Sequence, residues 1–183
     1  MRGNGLFLHK QYVVVTHGEE KSQEIINLMP EDTRKDMQSV ILSANWYPVK
    51  TLQDYLGACE KVLGTEDLRK MARYAVEKQI TGFFGFVLKF ISLEKVFSDM
   101  DKMWKRYYSP GELQVVEASD NGCVIEIKGF PFTSSHLKGL TFWMEEFLVK
   151  ITNKKVSCKS EIVEPEHIIL TFRFFLLDQD QKG

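Results

Sequence analysis

Hydrophobic positions recur at helical spacing through most of the first 108 residues. Leu6, His9, Val13 and Thr16 share one helical face, which predicts a helix over Leu6–Thr16, although Val13-Val14-Val15 alone would suit a strand. After Gly18, the polar stretch Glu19–Met29 carries a narrow apolar stripe of Ile25, Ile26 and Met29. Pro30-Glu31-Asp32 reads as a helix start, with proline in the first turn and acids at the positive end of the dipole, and that helix is expected to reach about Ser43. Trp46-Tyr47-Pro48 is a break, since a residue before proline avoids helical angles. The next helix starts near Pro48 and buries Leu52, Tyr55, Leu56, Cys59, Val62 and Leu63. Gly64 ends it, and Thr65 is expected to cap a further one with Leu68, Met71, Ala72, Ala75 and Val76 on its inner face. Ser92 is placed to cap the clearest helix, with Leu93, Val96, Phe97, Met100, Met103, Trp104 and Tyr107 on one side and mixed charges on the other.

At Ser109-Pro110-Gly111 the period changes from helical to alternating. Leu113–Ala118 and Cys123–Lys128 read as strands joined by Ser119-Asp120-Asn121-Gly122, which holds the Asn-Gly hairpin signal. A helix follows from Ser134 to Ile151, with Leu137, Leu140, Met144 and Leu148 on its stripe. Lys155–Val163 and Ile168–Leu176 then form a second hairpin turned at Glu164-Pro165-Glu166. The order predicts an α+β fold: an N-terminal helical half, about 1–108, packed against an antiparallel sheet from a C-terminal β-β-α-β-β unit, about 109–177. Residues 178–183 are expected to fray, and the 183 residues to form a single domain.

Composition narrows the function. A net charge of -1 gives no basic field, so no nucleic-acid partner is expected. The most apolar window, Ile80–Phe90, is interrupted by Lys89 and is too short to span a bilayer, which takes about 20 residues. Cys59, Cys123 and Cys158 are odd in number and widely spaced, which fits reduced thiols and a cytoplasmic protein. The oddity is 13 Phe beside 6 Tyr and 3 Trp.

Motifs for chemistry are scarce. The sequence has no GxSxG elbow, P-loop, HExxH or dinucleotide fingerprint. Gly82-Phe83-Phe84-Gly85 lacks the basic neighbours of a nucleic-acid clamp and reads as helix packing. His9 falls on an apolar helical face, where a hydrogen-bonded core imidazole is the plainer reading. His17 lies at a helix end, His136 early in the late helix and His167 beside the last turn. Glu145-Glu146, adjacent on a helix, diverge rather than converge on a substrate. Glu117 and Glu126 are expected to face each other across the first hairpin as part of a solvated face. Lys102, Lys105 and Arg106, alternating with acids, read as another such face.

Five stretches carry a resemblance: Met29-Pro30-Glu31, Asn45-Trp46-Tyr47-Pro48, Leu63-Gly64, Trp104-Lys105-Arg106-Tyr107-Tyr108-Ser109-Pro110-Gly111 and Lys128-Gly129-Phe130-Pro131. With the β-β-α-β-β ending, the chain resembles the superfamily of 4-vinyl reductase domains, haem NO-binding domains and TRAPP vesicle-tethering subunits, and within it an uncharacterised bacterial family. The resemblance implies a cavity between helices and sheet for a small hydrophobic ligand, which Phe83, Phe84, Phe86, Phe90, Phe97 and Trp104 would line. Vinyl-reductase domains carry an E-x-x-C pattern followed by Gly-Asp and a further Cys, which binds zinc in some sensory members. Here Cys158 and Glu161 stand where Glu and Cys are expected, and Ile169 takes the later Cys position. Cys158, Glu161, His167 and His136 are the remaining weak candidates for metal ligands, but residues three apart on a strand point to opposite faces. The Tyr-x-Ser-x-Arg propionate motif of haem NO-binding domains is not seen. The expectation is therefore a ligand-binding or sensory domain without catalytic activity and without cofactor, neither zinc nor haem. The alternative is a homodimeric scaffold resembling the tethering subunits.

Overall fold

The computed structural model describes residues 1–80 and 92–176. Five helices come first: α1 (Gly3–His17), α2 (Glu19–Asn27), α3 (Glu31–Gln38), α4 (Val49–Leu63) and α5 (Thr65–Ile80). Two short ones follow, α6 (Leu93–Ser98) and α7 (Met100–Tyr107). Strands β1 (Glu112–Ser119) and β2 (Gly122–Lys128), helix α8 (Ser134–Thr152), and strands β3 (Lys155–Glu164) and β4 (His167–Phe175) complete the elements of the described residues. The α+β reading and its element order are those of the structure. Gly82–Gly85, Phe83, Phe84, Phe86, Phe90 and the tail 178–183 lie outside the described residues.

The sheet has the order β1-β2-β4-β3, with every neighbouring pair antiparallel. The alternation seen in sequence sets its faces. Cys123, Ile125 and Ile127 on β2 and Ile168, Leu170, Phe172 and Phe174 on β4 are buried on one side, with Ile125 opposite Leu170 and Ile127 opposite Ile168. Helix α8 packs on this side through Leu137, Leu140, Met144, Phe147 and Leu148, and Val96, Phe97, Met100 and Trp104 join the same core. A second core, around Leu6, Ile25, Met37, Tyr55, Leu56 and Met71, lies within α1–α5.

Local chemistry accounts for the boundaries. Ser92 Oγ accepts the Lys95 N–H, and Thr133 Oγ1 accepts that of His136, so α6 and α8 each begin on a hydroxyl cap. Asn153 closes α8 in the left-handed conformation, φ 52°. The helix expected through Ser92–Tyr108 is instead broken at Asp99. The Asp99 carboxylate takes Lys95 Nζ at 2.7 Å on one side and Lys102 Nζ at 2.7 Å on the other, straddling the break. Helix α3 stops at Gln38, not Ser43, because Ser39 is extended and its hydroxyl back-bonds to Lys35 and Asp36. Thr65 is the first residue of α5, and its hydroxyl donates to Glu60 Oε1 rather than capping the helix.

One pair of acids differs from expectation, and another diverges as its helix spacing implied. A register shift between Val115 and Glu117 puts Glu117 opposite Val124, so it does not face Glu126, which pairs with Gln114. Glu145 and Glu146 are both buried, each held by an arginine of α5.

Candidate functional site

Between the two cores lies a cavity of about 90 Å³. Met1 lines it just ahead of α1, α1 contributes Gly5 and His9, α4 contributes Leu52 and Leu56, and α5 contributes Gln79. From α7 come Met100, Met103, Trp104 and Tyr107, followed by Tyr108 and by Leu113 of β1. From α8 come His136, Gly139, Leu140, Trp143, Met144 and Phe147. On one wall α8 approaches α4 closely at Gly139, where a built Cβ would sit 3.2 Å from Leu56 Cδ1. The volume far exceeds the roughly 10–15 Å³ one water needs, and is below the roughly 300–1,000 Å³ of pockets that enclose drug-sized ligands. It admits a diatomic or a small organic molecule as it stands, and a macrocycle only if the walls part.

Its described lining carries no Lys, Arg, Asp or Glu. The indole N–H of Trp104 is spent on Pro110 O at 3.2 Å, and that of Trp143 on Gln79 Oε1 at 3.1 Å. The polar groups left to face a guest are chiefly two imidazoles. His9 Nδ1 bonds to the Gly5 carbonyl one turn back, at 2.5 Å. A carbonyl only accepts, so Nδ1 carries the proton and Nε2 keeps a bare lone pair. His136 is 1% exposed, stacks on Phe132 and packs beside Phe130. Its Nε2 lies 3.4 Å from the Tyr108 hydroxyl, and its Nδ1 has no hydrogen-bond partner among the described residues.

Both rings are neutral at physiological pH. Burial lowers the His9 pKa, and the Gly5 hydrogen bond offsets this only in part. Burial pushes His136 down to about 3, with the neighbouring His9 adding to the effect. Burial also raises the Tyr108 phenol, which therefore keeps its proton. Tyr108 is fixed by stacking on Trp104, centroids 4.3 Å apart, and by an edge contact with Phe130 at 5.1 Å.

Of the residues expected to line a cavity, Trp104 does so. Phe97 is buried in the sheet-side core and borders a shallow outer groove beside Asp101, Lys105 and Glu112. The four weak metal candidates are not brought together. Cys158 turns toward α8, where its backbone N–H donates to Glu145 Oε1 at 2.8 Å. Glu161 is exposed on β3, His167 pairs with Glu126 Oε1 at 2.8 Å, and His136 faces the cavity. Among the described residues no group of three or more His, Cys, Asp or Glu could hold a metal ion. His9 is the hydrogen-bonded imidazole on an apolar helical face that the sequence implied, and it also lines the cavity.

No family model and no curated protein matches the sequence. Solved structures do match in three dimensions. An Fe(II) unliganded H-NOX protein from K. algicida superposes with a TM-score of 0.72 at 14% identity, over 99% of this chain and 100% of that one. An H-NOX protein from S. oneidensis in its Fe(II)NO state gives 0.64 at 14%, over 95% and 99%. A protein in which porphyrin distortion modulates haem redox potential gives 0.62 at 12%, over 95% and 100%. The chain has the H-NOX fold. That supports the haem NO-binding part of the resemblance drawn from sequence. It also corrects the expectation of no cofactor, because the structures it superposes on include an Fe(II) protein and one whose haem porphyrin is distorted by the protein.

Proposed function

We propose that this chain is a ligand-binding sensory domain that takes its ligand in the cavity between α1, α7 and α8, with haem the favoured ligand. The observation that carries the reading is His9: a neutral imidazole, its Nδ1–H tied to Gly5 O, with a bare Nε2 on the wall of an apolar cavity. Iron-binding histidines are commonly oriented this way, the distal ring N–H held by a carbonyl while the other nitrogen donates to the metal. Trp104, Trp143, Phe147 and the methionines of α7 and α8 supply apolar contact for a ring. A bound haem would supply an iron position for a diatomic ligand, as in the NO and oxygen complexes of the structural neighbours. The chain's own part is to hold the ring, present Nε2 and exclude water. The cation among the described lining residues is the Met1 α-ammonium, which donates to the Tyr47 carbonyl.

The finer reading is of a bacterial sensory protein working in the cytoplasm, which the three unpaired cysteines support. Among the described residues no helix is long and apolar enough to cross a membrane. The test is a titration of the purified chain with ferrous haem under anaerobic conditions, followed by visible absorption. A saturable one-to-one Soret band that His9→Ala abolishes and His136→Phe retains is the expected result. Absence of the band, or a band unchanged in His9→Ala, overturns the assignment.

A further inference from the structure

The chain between α3 and α4 lies along α1, and its hydrogen bonds fix the direction. Lys10 Nζ donates to Met37 O at 2.6 Å, the Asn4 N–H to Ser43 O at 3.1 Å and the Gly3 N–H to Asn45 O at 2.8 Å. The Leu42 carbonyl takes the place a Cβ at position 3 would need. Residues 37–45 therefore run from the Lys10 end of α1 back to its start. Gly3, Phe7 and Lys10 stand at i, i+4 and i+7, one face of the helix, so Phe7 meets this segment midway. Ile41 turns inward and is buried, while Val40 and Leu42 on either side of it turn out, 82% and 53% exposed. Phe7 and Trp46 are exposed as well, and the four side chains line up along the start of α1. A cation stands at each end. The Arg2 guanidinium lies over the Trp46 ring, 4.5 Å from its centroid, and donates to Ala44 O, and Lys10 closes the other end. Neither 1–10 nor 37–47 contains an Asp or Glu. By contrast, the exposed pair Ile162 and Val163 on the sheet edge stands between Glu161 and Glu164.

We infer that Phe7, Val40, Leu42 and Trp46, with Arg2 and Lys10, form a docking face for an anionic phospholipid membrane, on which the domain sits peripherally. Large apolar side chains left in water at one place mark an interaction surface. Neither the cavity nor the outer groove is lined by these four, so the face offers knobs and not the slot that takes a peptide. A fluid bilayer needs no slot. Aliphatic chains enter its acyl layer, an indole sits at headgroup level, and cations meet the phosphates. The absence of acids from both segments leaves nothing to repel an anionic surface. The inference depends on nothing inside the cavity, so either reading can fail without the other.

The test is sedimentation of the purified chain with vesicles of equal parts phosphatidylglycerol and phosphatidylcholine, and with phosphatidylcholine alone. Wild type should bind the anionic vesicles more tightly, and less so as salt is raised. A cation near an anionic surface is worth about fivefold in affinity, so Arg2→Gln/Lys10→Gln should bind about 25-fold more weakly. Val40→Ser/Leu42→Ser should lose at least about tenfold and keep the wild-type thermal midpoint, since both side chains already stand in water. Brominated acyl chains should quench tryptophan fluorescence in wild type and not in Trp46→Phe, each fully bound, because Trp104 is buried and Trp143 packs in the cavity wall. That readout holds even if a double variant folds poorly. Full affinity in Val40→Ser/Leu42→Ser overturns the proposal, as does quenching that survives Trp46→Phe. Failure of wild type to bind anionic vesicles also overturns it, and leaves a protein as the partner of this face.

Discussion

The guanidinium of Arg73 closes on both carboxylate oxygens of Glu146, Nη2 lying 2.9 Å from Oε1 and Nε 3.2 Å from Oε2. The adjacent acid, Glu145, takes Arg69 Nη1 at 2.8 Å on one oxygen and the Cys158 N–H at 2.8 Å on the other. These carboxylates fasten α5 to α8, and α8 to β3. Glu145→Ala should cost about 2 kcal/mol, because it strands a backbone N–H as well as a cation, while Glu145→Gln should cost about half as much by keeping an acceptor. Arg73, more than half exposed, should matter less, with Arg73→Met costing about 1 kcal/mol. Urea unfolding at constant slope reads all three. A wild-type midpoint for Glu145→Ala would mean that water satisfies the Cys158 amide.

The buried imidazole of His136 makes stability depend on pH. Its folded pKa, about 3, lies below the ordinary 6.5, so the unfolded chain binds a proton that the folded chain refuses. The folded state is therefore fully favoured above about pH 6.5 and loses stability as pH falls toward 3. At pH 5 the linkage is about 2 kcal/mol, and His9, lowered in the same direction, adds to it. Wild type should lose stability between pH 8 and pH 5, and His136→Phe should show a shallower slope, by thermal unfolding across that range. Parallel slopes would show that the ring is protonated in the fold.

Two glycines should respond to alanine with opposite signs. Gly57 lies inside α4 with nothing within 4 Å of a built Cβ, so Gly57→Ala should stabilise by about 0.5–1 kcal/mol. At Gly122 a Cβ would fall 2.2 Å from the Phe172 carbonyl oxygen, where β2 meets β4. Gly122→Ala should cost about 3 kcal/mol, since backbone must move to admit it. Denaturant midpoints of the two variants on either side of wild type would bear this out, and a neutral Gly122→Ala would contradict the pairing at that strand end.

All three thiols should be slow toward alkylating and disulfide reagents in the native state. Burial pushes Cys59, Cys123 and Cys158 each to about 12, so little thiolate is present at pH 8. Three thiols reacting at once in denaturant, and none within minutes natively, is the expected count. Fast native labelling of one site would place that thiol in a more polar setting than its packing indicates.

Period and punctuation carried most of the architecture. The Asn-Gly turn, the alternation in β2 and the apolar stripe of α8 placed the sheet and its covering helix within a residue or two of their ends. The missed features depend on contacts distant in sequence. The break at Asp99 is the exception, a local change inside an apolar stripe that runs on through it. The burial of Glu145 and Glu146 required knowing that α5 brings two arginines alongside. For the site, Trp104 was legible as an aromatic on an inward face, whereas His9 and His136 lie 127 positions apart and meet only after both cores have formed.

The cavity lies on the seam where two separately packed cores meet. Leu52 and Leu56 on its wall belong to one, while Trp104, Leu140 and Phe147 belong to the other. A guest of the kind proposed above would touch both at once, so its contacts would join side chains that otherwise pack apart.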